Sequence, residues 1–78
     1  MEGQVYVIKA VWDTDASVWV ATSEGIPGLV AEADTAEGLL DELRILIPEL
    51  LGAKALSDSG VPGIPIHIMS ERLEHIRL

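Results

Sequence analysis

The chain has no cysteine, few basic residues and no long apolar run, and each absence removes a class of protein. Without cysteine there is no disulfide, no thiolate metal site and no cysteine nucleophile. Lack of cysteine also fits a cytoplasmic protein. Lys and Arg number 5 against 13 Asp and Glu, a formal net charge of -8. Such a chain repels a phosphate backbone, whose binding draws on counterion release by Lys and Arg, so no direct nucleic-acid binding is expected. No segment approaches the roughly 20 apolar residues of a membrane span, and none is expected. The opening MEGQVYVIKA has an acid at position 2 and passes straight into a strand pattern, so no signal peptide is expected.

Catalytic patterns are missing too. Thr22 and Ser23 precede Glu24-Gly25 without a G-x-S-x-G elbow, and Ser57, Ser59 and Ser70 have no base beside them in sequence. Gly25 and Gly28 do not make a phosphate cradle. Asp13, Asp15, Ser17, Val20 and Glu24 follow the spacing of a calcium loop, but Val18 stands where the loop needs Gly, and both flanks read as strands. His67 and His75 would share a strand face about 26 Å apart, too far for one metal. We therefore expect no enzyme, no cofactor and no metal site.

What is present is a single small domain, residues 1–78, with 49% apolar residues. A chain of this size buries only about 60% of its unfolded surface and commonly gains stability by self-association. Gln4 to Trp12 (QVYVIKAVW) reads as a strand, with Val5, Val7, Lys9 and Val11 on one side and Tyr6, Ile8, Ala10 and Trp12 on the other. Asp13 to Ser17 (DTDAS) is a polar hairpin turn, and Val18 to Ser23 is the second strand. Pro27-Gly28 suits the centre of a type II turn that returns Leu29 to Ala33 as a third strand. Asp34 or Thr35 then caps a helix, with Glu37 three residues after Asp34 as in a capping box.

From Ala36 the apolar residues Leu39, Leu40, Leu43, Leu46, Ile47, Leu50 and Leu51 fall within about 140° of arc, an amphipathic helix to roughly Leu51. Gly52 is its stop, and Pro48 predicts a kink or an early end. Ile45 points to the polar side. Gly52 to Gly63 reads as a linker and IPIHIMS, from Ile64, as a fourth strand with Pro65 near its start. The tail ERLEHIRL is compatible with a strand extension, a helical turn or a frayed end. The fold class is thus α+β, in the order β-β-β-α-β. One helix covers one face of such a sheet, yet the first strand is apolar on both, so an interaction surface is expected.

The ordered run from Trp19 to Leu43, with Glu24, Ile26-Pro27-Gly28, Leu29 to Ala33 and Asp34-Thr35, resembles the HicB-like antitoxin domain. The resemblance covers roughly residues 5–52 and includes Trp12-Asp13 at the end of the first strand. It implies a partial ribonuclease-H-like fold with one helix on one sheet face. It also implies a non-enzymatic role: binding and neutralising a small basic HicA-like ribonuclease toxin, commonly as a dimer or higher oligomer. HicB antitoxins usually carry a C-terminal DNA-binding segment, and none is expected in the ten residues after Ile68. Within this expectation Asp13, Asp15, Glu24 and Asp34 steer the basic partner, while Tyr6, Trp12, Trp19 and Ile45 serve as interface residues. The alternative is a self-associating structural or regulatory domain with no toxin partner.

Overall fold

The β-branched run YVIKAVW forms strand β1 (Tyr6–Asp13) in the computed structural model of the chain, which describes residues 5–59 and 63–78, residues 53–59 by their backbone alone. Gln4, the expected first residue of this strand, lies outside the described residues. Strands β2 (Val18–Thr22) and β3 (Val30–Ala33), helix α1 (Ala36–Ser59) and strand β4 (Ile66–Glu71) follow. They build a four-stranded sheet in the order β3-β2-β1-β4, with β4 parallel to β1 and the other pairs antiparallel. This is the α+β, β-β-β-α-β architecture.

Local chemistry explains each boundary. Asp13 closes the first hairpin: its Oδ1 accepts from the amides of Asp15 (3.1 Å) and Ala16 (3.2 Å), and its carbonyl accepts from Ser17 N (2.7 Å). Ser17 completes the turn in the left-handed region, at φ 57. At the second turn the Ile26 carbonyl accepts from Leu29 N at 3.2 Å, with Pro27 next and Gly28 at φ 85, as a type II turn requires. The Leu29 amide is engaged in that turn, so β3 begins one residue later than expected.

Thr35 is the helix cap: its Oγ1 accepts from Gly38 N at 2.9 Å. Glu37 is then the second helical residue, not the third, and the expected Asp34–Glu37 box does not form. The backbone passes through Pro48 and leaves helical geometry at Gly52 (φ 84, ψ 161), the expected stop. It becomes helical again to Ser59, which corrects the reading of this stretch as a linker; residues 60–62 lie outside the described residues. Pro65 has no N–H to give to a ladder, so β4 starts at Ile66 instead of Ile64, and the Pro65 carbonyl accepts from Tyr6 N at 3.1 Å. In the tail, Glu71 ends β4 and residues 72–78 carry no regular structure.

The core lies between α1 and one sheet face. Leu39, Leu43 and Ile47 project from one stripe of the helix onto β3 and β2, sealed by Ile8, Ile26 and Leu29. Ala10, Ala21 and Ala31 are paired in one row across β1, β2 and β3, and all three are buried. Three methyl groups make a flat seat that lets the helix approach closely. Leu50, expected on the buried stripe, is 44% exposed. By Leu50 the helix has advanced about 21 Å, whereas the four residues of β3 span only about 13 Å. Leu50 therefore overhangs the sheet end beside the Pro27-Gly28 turn. Among the described residues no helix is long and apolar enough to cross a membrane.

Candidate binding face

Strict alternation along β1 sends Ile8 and Ala10 to the core and Val7, Lys9 and Val11 to the other face. The register carries this division across the sheet: Val20 lies opposite Val11, Val30 opposite Thr22, and Met69 beside Lys9. An antiparallel sheet that meets water on one face usually alternates apolar-in with polar-out. Here the outward set is dominated by valine. Val7 and Val30 are 51% and 60% exposed, and Val5, Val11 and Met69 are also exposed.

The face is not wholly apolar. Lys9 Nζ reaches Glu71 Oε1 at 3.4 Å across the β1–β4 pair, and Glu32 stands on β3 opposite Val20. Both members of that ion pair are well exposed, so it contributes little to stability. At one end a hollow of about 430 Å³ opens between Val5, Val7, Lys9, Thr22 and Glu24. Its floor is fixed by the Ser23 hydroxyl, which donates to the Val7 carbonyl at 2.6 Å.

The four acidic residues expected to steer a partner are all exposed, but they do not form one cluster. Asp13 and Asp15 occupy the β1–β2 turn, and Asp34 follows Ala33, which pairs with Trp19 at the same end of the sheet. Glu24 lies beyond Thr22, at the opposite end. The aromatic residues take the other face. Tyr6 and Trp19 pack against the core, and Trp12 meets Trp19 edge-on, with ring centroids 5.4 Å apart at 67°. The Arg72 guanidinium lies over the Trp12 ring at 4.1 Å. Ile45 is 59% exposed on the outer side of α1, remote from the valines.

The face that is open is therefore built from valines and Met69, with the half-buried aromatics behind it. The signal for this is the Val5-Val7-Val11 alternation in the sequence. His67 and His75 are both exposed, and among the described residues no group of three His, Asp or Glu side chains gathers as a metal would need. The calcium-loop spacing is split by the fold, since β2 separates Asp13 and Asp15 from Glu24.

A family model described as a domain of unknown function (DUF1902) matches residues 5–78, which takes in the whole sheet, the helix and the tail. Among solved structures, a hypothetical protein of the extremely thermophilic bacterium Thermus thermophilus is 33% identical, with 96% of this chain and 100% of that chain covered and a TM-score of 0.63. No curated protein matches.

Proposed function

The chain belongs to the DUF1902 family, a domain of unknown function, and from that premise we propose that it is a non-enzymatic protein-binding module of the HicB antitoxin type. It holds a small basic protein, of the HicA-like ribonuclease class, on the open valine face and so neutralises it, in the cytoplasm. The observation that carries this reading is the uncovered apolar face on a chain of net charge -8. An apolar centre supplies desolvation energy, and the acidic surround draws a basic partner to it. Asp13, Asp15 and Asp34 would receive that partner at one end of the face, Glu24 at the other, with Glu32 inside it.

The test is capture from a native lysate at low and high salt, with Val7→Lys/Val30→Lys as the control chain. Both positions are exposed, so the control folds. The expected result is one small basic protein that the unaltered chain retains at low salt, that the control loses at least tenfold, and whose ribonuclease activity the unaltered chain blocks. Capture of no such protein at either salt concentration overturns the reading.

A second reading, self-association, is favoured by β4. Every residue of β4 from His67 to Glu71 is exposed, because α1 lies over β3 and β2, and only Ile66, at the start of β4, packs against the core. A strand that is bare on both faces beyond its first residue, and along one edge among the described residues, gains most from a second chain.

A further inference from the structure

We propose that two copies of this chain join through the free edge of β4 and the tail beyond it, each tail lying antiparallel along the other copy's β4 with Leu73 on the two-fold axis. This gives the self-association reading its surface and rests on that reading.

In the order β3-β2-β1-β4, one edge of β4 has no strand beside it among the described residues. Natural edge strands are usually blunted by charge, proline or a bulge. Here Pro65 precedes the strand, and Ile66 to Ser70 (IHIMS) carries no proline and neither Lys, Arg, Asp nor Glu. The last paired residues of β1 and β4 are Val11 and Glu71, so residues 72–78 run on with no strand alongside among the described residues. Leu73 and Ile76 are 79% and 82% exposed. The root of the tail is nevertheless held. Arg72 stacks on Trp12 and bonds to Glu74, which fixes the direction in which the chain leaves the sheet.

Charge selects a second copy as the occupant. Residues 71–78 carry two acidic and two basic side chains, so all of the -8 resides in the rest of the chain. Two copies meeting at their tails meet where neither repels the other, whereas a basic partner is drawn elsewhere.

Charge also selects the register. In an antiparallel pair about a two-fold axis normal to the sheet, residues opposite one another share a face. Registers centred on residue 71, 72 or 74 set a charged side chain against itself. The register centred on Leu73 sets Arg72 opposite Glu74, Glu71 opposite His75, Ser70 opposite Ile76 and Ile68 opposite Leu78. The bond that Arg72 makes to its own Glu74 is exchanged for the same bond across the interface. The product is one eight-stranded sheet, β3-β2-β1-β4 followed by its symmetry mate in reverse.

Sedimentation of the full chain and cysteine cross-linking test this. The chain has no cysteine, so Leu73→Cys introduces the only thiol. It should oxidise to a covalent dimer, while Val11→Cys, on the open face, should not. Arg72→Glu should weaken dimerisation at least tenfold, and Arg72→Glu/Glu74→Arg should recover most of the loss. A monomer at all concentrations overturns both the inference and the self-association reading. A dimer that Leu73→Cys does not cross-link and Arg72→Glu does not weaken overturns this geometry alone and leaves self-association to another surface.

Discussion

Asp13 carries two tasks that one substitution pair separates. Its carboxylate accepts two turn amides, and it is one of three acids at the same end of the sheet. Asparagine keeps the accepting oxygen and removes the charge, whereas alanine removes both. Asp13→Ala is expected to cost about 1 kcal/mol, which in a domain of this size lowers the thermal midpoint by roughly 4–8 °C. Asp13→Asn should leave the midpoint nearly unchanged and slow the capture of a basic partner, as stopped-flow measurement at low salt would read. Equal midpoints for the two variants would show that the turn bonds contribute nothing. This turn was legible in the sequence because Asp13 acts within three residues of itself. The cap was half legible: Asp34 and Thr35 are both able to cap, and only the backbone entry from β3 selects Thr35.

At the level of elements, the helix is positioned by what the sheet leaves out. The Ala10-Ala21-Ala31 row gives α1 a shallow seat on β3 and β2, and the larger Ile8 lies beside it. Ala21 is fully buried, so Ala21→Leu has no space to enter without lifting the helix. Overpacking of this kind typically costs about 1–3 kcal/mol, and urea unfolding of the variant should show a loss in that range. A midpoint equal to that of the unaltered chain would mean that α1 is not seated on the alanine row. The 3.6-residue period made Leu39, Leu43 and Ile47 readable as the buried stripe. It could not reveal that β3 ends before Leu50, because strand length is a property of the partner element. Nor does period give the helical stretch after Gly52, where a single glycine torsion separates two helical runs.

For the molecule as a whole, the net charge of -8 makes ionic strength the sharpest discriminant between the two kinds of association. Raising salt from about 50 to 500 mM shortens the screening length several-fold. It should change a pairing through the charge-balanced tails little and weaken the capture of a basic partner strongly, and sedimentation and binding isotherms run in parallel would read the difference in slope. Equal slopes would remove one of the two associations. The strand order was less legible than the strands themselves, because a parallel β1–β4 pair depends on residues that lie far apart in sequence. Tyr6 lies beside Ile66, 60 positions later. At about 5–20 residues per second of translation, β1 waits roughly 3–12 s on the ribosome for the strand that completes its outer ladder. During that interval the nascent polypeptide presents a bare, β-prone margin to every neighbour in a polysome. Its yield should consequently respond to chaperone supply more than its small size alone would suggest.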